Sequence, residues 1–531
     1  MQKLSIAILL LTFCFLFFSP EAKAQAETQS FFIENSYDLF GRKQLEAVLV
    51  RSDSRLHFYV EKPWWESLTA QEKNDLRIAL AELGLEFQNR IYPVLTSTFG
   101  SEPKPGIDRD EKITVLVHQM GSEAGGYFRA GDVYEKLQSP GSNEKEMIYL
   151  NNKYIGKPEA KSFLAHEFTH VITINQKDLL RKVSEEVWLN EARAEYAPTL
   201  LGYDDVYKGS NLERRVRDFL SRPSTSLVEW LDRAEDYGIV NLFTQYVVDY
   251  YGVQMLVDSL HSSSVGIASL NEALQRRGFQ KDFTEIFKDW IIAALMNDCT
   301  MGERYCYRNS HLKDLRIFPT SYFIPRTETI FSTYHTTLPW SANWHRLVGG
   351  GGNLTVEFDG ADSAEFQIPY VLCDVNDVCS VRTLLLDGKG KGVVAFSQFD
   401  VGYASLTLVP FVAEASFSSF IGSLFESQAN AASIDAPSNN SQTIPLLRAV
   451  INLNPSPLKG GGDITIVGGT ALLAEAGPSG TLADLPDSPV SDQISVYVVR
   501  KGDTLGAIAK MFSVSVNTIA WANDVRGGII H

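Results

Sequence analysis

The chain has 531 residues, 44% of them hydrophobic and 21% charged, which excludes a disordered or fibrous protein, and its length suggests roughly three domains. Its formal net charge of −16, with no basic stripe to offset it, speaks against nucleic-acid binding, because phosphate would be repelled overall.

In chain order, the first residues, MQKLSIAILLLTFCFLFFSPEAKAQA, place a lysine ahead of an apolar run from Leu4 to Phe18. The small-x-small triplet Ala22-Lys23-Ala24 follows. This is the pattern of a secretory signal peptide, and the run is short for a bilayer-spanning helix. Residues 1–24 are expected to be removed on export, with an uncleaved anchor as the alternative. Cys14 follows the bulky Phe13 inside the run, which speaks against a lipoprotein cysteine. No later stretch is long and apolar enough to span a membrane, so an exported protein, extracellular or wall-associated, is expected. Of five cysteines, four lie beyond this segment in two close pairs, Cys299 with Cys306 and Cys373 with Cys379. Two local disulfides are expected; the spacings lack the two-residue gaps of a four-cysteine zinc site.

Residues 25–38 are too short for a folded inhibitory prosegment. RKQLEAVLVRSD and RLHFYVEK alternate as two strands, and a helix is expected over about 69–99. KITVLVHQM (112–120) and KEMIYLNN (145–152) read as buried strands, with a glycine-rich loop, GSEAGGYFRAGDVY, between them. That loop and its adjoining strand either pair with an extended peptide or form a plain surface turn. GIDRDEKI carries Asp108 and Asp110; calcium is conceivable there, but the remaining ligands of a hand-type loop are missing and a turn is the plainer reading. From about Pro158 helical patterns continue to about Leu295. Strands followed by helices imply an α+β domain over 25–318. Short strands with glycine or aspartate turns then imply an all-β, sandwich-like accessory domain over 319–415. Residues 416–493 are rich in Ser, Ala, Pro, Gly and Asn and read as linker, with a small ordered piece around DITIVGGTALL.

The chemistry concentrates in FLAHEFTHVITIN (163–175). His166 and His170 are four apart, so one helix face presents both imidazoles to one ion, and Glu167 is placed to reach a water beside that ion. A catalytic zinc needs a third protein ligand and an open fourth position. The elongated pattern, with Gly and His at the third and sixth residues after the second histidine, fails, since Thr173 and Gln176 stand there. The alternative passes: VWLNEARAEYAP (187–198) supplies Glu191 after twenty intervening residues. Glu195, one turn later, is spaced to accept the free ring N–H of a ligand histidine and fix its tautomer. Two merely packed histidines are the bland alternative.

HEFTH followed by WLNEARAEYA resembles the glutamate-ligated zincins, most closely the hyicolysin-type bacterial metallopeptidases. The similarity extends to GIDRDEKITVLVH, GGYFRAGDVY, SNEKEMIYLNN and SLVEWL…EDYG…LFTQYVVDYYG, over roughly residues 35–310. One departure is Ala192, where relatives carry Gly. The resemblance implies a zincin-like fold with one zinc per chain held by His166, His170 and Glu191. Glu167 would be the general base acting on a protein or peptide substrate. It also offers Tyr237, in EDYG, as an oxyanion donor, against the reading of a packed core tyrosine.

The final segment, VYVVRKGDTLGAIAKMFSVSVNTIAWANDVRGGIIH, resembles a LysM module, a small strand-helix-helix-strand glycan-binding unit, over 494–531. The resemblance implies binding of peptidoglycan or chitin-like N-acetylglucosamine polymers through Gly502, Asp503, Thr504, Leu505, Ile529 and Ile530. The chain stops at His531, before the expected Pro-Gly turn and last strand, so the module reads as truncated; Asp503 and Thr504 also suit helix capping. The whole then reads as a multidomain, exported zinc endopeptidase tethered to wall glycan. A peptidoglycan cross-link hydrolase and a non-catalytic wall-binding protein with a structural zinc are the rivals.

Overall fold

The computed structural model describes residues 27–413, apart from 122–123, 328–329 and 362–363, and the backbone of three short strands between 466 and 482. Its first region is built on a mixed sheet of β1 (Thr28–Phe32), β2 (Gln44–Ser52), β3 (Leu56–Glu61), β4 (Ile113–His118), β5 (Ala124–Phe128) and β6 (Met147–Asn151), ordered β1-β2-β3-β4-β6-β5. β3, β4 and β6 are parallel, and β5 returns antiparallel to β6. The central strands ITVLVH and MIYLN are buried along their whole length, so their apolar runs lack alternation, as strands covered on both faces do.

After a short α1 (Lys62–Ser67), α2 (Ala70–Glu86) begins at a capping box. The Thr69 hydroxyl accepts from Glu72 N–H, and the Glu72 carboxylate accepts from Thr69 N–H at 2.8 Å. The single helix expected over 69–99 is broken by a π-turn at Phe87–Ile91 before α3 (Tyr92–Phe99), because Pro93 has no N–H to bond the Asn89 carbonyl. These helices and α4 (Glu159–Ile174) cover one sheet face with a core that includes Phe87, Phe99, Val115, Ile148, Phe168 and Val171. The opposite face holds Phe31, Tyr59, Leu116, Tyr127, Met147 and Tyr149.

The helical half follows: α5 (Val187–Leu200), α6 (Asn211–Ser221), α7 (Ala234–Tyr251), α8 (Gln254–Leu260), α9 (Gly266–Arg276) and α10 (Phe283–Met296). Trp188, Leu212, Phe243, Phe287 and Trp290 fill its core.

The β region comprises β7 (Thr320–Ile324), β8 (His345–Gly349), β9 (Leu354–Asp359), β10 (Phe366–Asp374), β11 (Cys379–Leu384), β12 (Lys391–Phe396), β13 (Tyr403–Leu408) and β14 (Phe411–Val412). Its main sheet runs β11-β10-β13-β8-β7, with β14 on the start of β10, while β9 and β12 pair separately. Ile368, Tyr370, Leu372, Phe396 and Leu406 share one core, and among the described residues the second layer of the expected sandwich is the β9–β12 pair. Trp344 Nε1–H donates to the Ile291 carbonyl at 3.1 Å, and Phe411 packs on Phe287, which fastens this region to α10. Disulfides join Cys299 to Cys306 and Cys373 to Cys379, the latter pair facing each other across β10 and β11.

Three features depart from the sequence reading. Residues 25–38 include β1, the first strand of the main sheet. The glycine-rich loop contains β5, hidden because two of its five residues are glycines with low strand propensity. The stretch read as linker holds, besides the small hairpin of β15 (Ile466–Val467) and β16 (Ala471–Leu472), a strand β17 (Ser479–Leu482) that pairs antiparallel with β5 as a seventh strand. Residues 1–24 and 494–531 lie outside the described residues. Among those described, no helix is long and apolar enough to cross a membrane.

Candidate metal centre

α4 is buried at every position from Phe163 to Ile174, so its ionisable residues need partners inside the protein. One turn separates His166 and His170, whose rings are 4.8 Å apart, and the second turn of α5 brings Glu191 against them. His166 Nε2 lies 3.2 Å from Glu191 Oε2, His170 Nε2 lies 3.5 Å from Glu191 Oε1, and the two Nε2 atoms are 3.1 Å apart. Each of the three side chains contributes one ligand atom to a group within 4.8 Å, the one such cluster among the described residues.

The ring tautomers follow from what lies behind. His166 Nδ1 faces Glu195 Oε1 at 3.2 Å, and His170 Nδ1 faces Asn190 Oδ1 at 3.1 Å. Both partners accept, so the protons belong on Nδ1 and both Nε2 lone pairs point inward. Both Glu191 oxygens are buried, and the side-chain nitrogens facing them are those of the two imidazoles. Two nitrogen and two oxygen acceptors therefore converge on one place, and a cation suits it. The electrostatics of the site make the same demand for positive charge. Burial opposes a charge on His166, but hydrogen bonds to Glu191 and Glu195 outweigh it and hold its pKa up at about 10. Burial likewise opposes ionised Glu191, yet His170 and His166 draw it down to about 2. A divalent ion would replace those protons. The three-ligand His, His, carboxylate set is that of catalytic zinc sites.

Glu195 is held from the far side. Arg215 donates to it from Nε and Nη2, both at 2.7 Å, and Asn211 Nδ2 donates at 2.9 Å. Burial would raise its pKa, but Arg215 and His166 keep it well below the usual carboxylate range. Arg215 also reaches Asp218, so a rigid ion network backs His166. Glu167, fully buried between the two histidines, lies under β5: a Cβ built on Gly126 would sit 3.4 Å from its Cγ.

Tyr237 is buried, with its hydroxyl 3.1 Å from Asp232 Oδ1 and its ring under the Arg215 guanidinium. Burial first, then the Glu191 charge, holds that phenol well above its ordinary pKa. Tyr37 was not anticipated. It precedes β2 in a stretch with no helical or strand pattern, stacks on Tyr127 at 5.0 Å, and is raised by burial and by the charges of Asp232, Glu191 and Glu167. No sequence signal marks it. Asp108 and Asp110 are engaged elsewhere, Asp108 with Lys145 Nζ at 2.7 Å and Asp110 with His57 Nε2 at 3.1 Å. The glycan-binding candidates Gly502, Asp503, Thr504, Leu505, Ile529 and Ile530 fall outside the described residues.

No curated protein matches the chain. Residues 497–530 match the LysM domain family, so the chain carries a LysM domain there, a module type that points to peptidoglycan or chitin-like N-acetylglucosamine polymers as a binding partner and to an extracellular or wall setting.

Proposed function

We propose that the chain is an exported, zinc-dependent endopeptidase held on cell-wall glycan by its LysM domain. The observation that carries this is the buried convergence of His166 Nε2, His170 Nε2 and the Glu191 carboxylate, all within 4.8 Å, with Glu167 adjoining. A structural zinc site is normally closed by four protein ligands; three with an adjacent carboxylate favour catalysis over the non-catalytic rival.

When bound, zinc supplies Lewis acidity to a carbonyl oxygen and to water. Glu195 and Asn190 hold the ligand rings in the tautomer that offers Nε2. Glu167 takes a proton from the attacking water and delivers it to the amine nitrogen as the C–N bond breaks, leaving a carboxylate and an amine from one water. Burial and nearby carboxylates keep the Tyr237 and Tyr37 phenols protonated, so both are candidate donors to developing oxyanion charge, Tyr237 once its hydroxyl leaves Asp232.

The test is zinc content and casein hydrolysis of the mature chain beside Glu167→Gln. The expected result is about one zinc in each, with hydrolysis only in the wild type. Zinc in both and casein cleavage in neither removes the proteolytic reading. The LysM domain favours one second reading, hydrolysis of peptidoglycan cross-links, for which release of peptides from purified sacculi is the discriminating assay. No zinc in either protein sinks both.

A further inference from the structure

β5 lies unusually close to the helix that carries the metal-site histidines. A Cβ at Gly125 would fall 2.6 Å from the Phe163 ring, and one at Gly126 would fall 2.7 Å from the Tyr149 carbonyl oxygen. Two glycines in succession thus let the backbone settle on α4, with Gly126 over Glu167 and the Phe128 ring against that of His170. Only one edge of β5 is used by β6, through Gly126 with Leu150 and Tyr127 with Tyr149. The other edge runs past the metal site, and an unpaired strand edge is a template for an extended chain.

That edge is occupied by the protein itself. β17 pairs along it antiparallel, with Ser479 opposite Phe128, Gly480 opposite Tyr127, Thr481 opposite Gly126 and, after a register shift, Leu482 opposite Ala124. The paired segment therefore covers the stretch of β5 that lies over Glu167 and His170, and it also lies against α4. It belongs to the stretch joining the β region to the LysM domain.

We infer that residues 479–482 are a built-in occupant of the peptide-docking edge of β5, so that the chain's own connecting segment competes with substrate for the metal site. The inference rests on the peptidase reading only for the consequence that activity is held down; the occupancy stands without it. A tethered strand acts at an effective concentration on the order of millimolar, so a free peptide has to exceed that level to displace it. No bond is made or broken by this contact.

The test uses the full mature chain in two forms. In the first, Ala124→Cys and Leu482→Cys are combined; the native cysteines are already paired with one another, so a new disulfide reports that these partners meet. In the second, Gly480→Pro and Thr481→Pro are combined. Successive residues of an antiparallel strand point their N–H groups to opposite sides, so one of the two prolines removes a donor facing β5. A fluorescein-labelled peptide of residues 476–485 is then titrated into each and followed by anisotropy. The expected results are oxidative closure of the cysteine pair, no peptide binding by the closed form, and binding by the proline form at a concentration at least about tenfold below that needed for wild type. Failure of the cysteines to close, or equal binding by closed and proline forms, overturns the inference. Hydrolysis of a short reporter peptide is measured alongside. A proline form that binds the labelled peptide yet cleaves nothing keeps the occupancy and removes the peptidase reading.

Discussion

Two buried charge clusters sit along α4 and α5, and they differ in one respect. Around Glu185, the protein supplies its own cations: Arg193 Nη1 lies 2.8 Å and Lys177 Nζ 3.3 Å from Glu185 Oε2, and Gly266 N–H donates to Oε1 at 2.7 Å. The cations are tied down in turn, Lys177 to the Ser262 and Ser264 carbonyls and Arg193 to Ser259 Oγ. Around Glu191, two imidazole nitrogens and a carboxylate converge with no Lys or Arg to meet them. A candidate metal site and a buried salt bridge differ in this way. In the second the charge balance is closed by the chain, and in the first a place is left for an ion.

Glu185→Gln breaks the closed cluster. It leaves two buried cations without their anion and is expected to cost about 3–5 kcal/mol in denaturant unfolding of the zinc-loaded protein, with zinc content unchanged. Glu191→Gln breaks the open cluster. Zinc affinity should drop by at least about 100-fold, and the chelator-treated variant should unfold more easily at neutral pH than chelator-treated wild type, because the charged His166 loses its buried carboxylate. If both variants lose stability alike and both keep zinc, the contrast between the clusters is wrong. Tyr37→Phe and Tyr237→Phe, made separately, should each lower kcat by about 100-fold with zinc retained; an unchanged kcat marks that tyrosine as packing only. Glu195→Gln weakens the hold on the His166 ring and should lower zinc affinity by about 10- to 100-fold in a competition titration, less than loss of Glu191 does.

The pH profile of the metal-free protein sharpens the same comparison. Glu191, Glu195 and Glu185 have folded-state pKa values below their unfolded ones, so their stabilisation is present above about 4.5 and lost as pH falls below it, for Glu191 through about 2. His166 is raised to about 10, so its contribution is full below about 6.5 and lost as pH rises through about 10. Glu146, pushed up to about 7 by burial, favours the protonated form and adds to the loss between about 4.5 and 7. Metal-free protein should therefore be most stable near pH 5–6 and weaken toward pH 9, whereas zinc flattens the alkaline limb because it takes the place of the His166 proton. An alkaline limb of equal slope with and without zinc would contradict the assignment of His166 as a ligand.

The clustering of the candidate metal-site residues was legible because their geometry is local. His166 with His170, and Glu191 with Glu195, are four apart on helices, and four apart means one face. β2, β3, β4 and β6 were legible by alternation or by unbroken apolar runs. What escaped is what long-range pairing decides. Tyr37 reaches the site through a turn after β1, where its carbonyl accepts from Gly121 N–H at 3.0 Å. Arg215 carries no motif, and only the packing of α6 beside α5 makes it the anchor of Glu195. The partnership of β17 with β5 joins segments some 350 residues apart, a separation over which no periodicity speaks.

The glycine pair in β5 has a consequence for selectivity. At Gly126, beside Glu167, and at its neighbour Gly125 the strand is bare backbone, with no side chain to probe an incoming residue. Discrimination at this edge falls on conformation: a chain lying along it has to be extended and must present its main-chain hydrogen-bonding groups, so proline at a paired position and segments locked in helices are rejected whatever their composition. On the proposed peptidase reading, such a groove is permissive about sequence and strict about shape, which suits exposed loops and unfolded chains better than a short recognition motif.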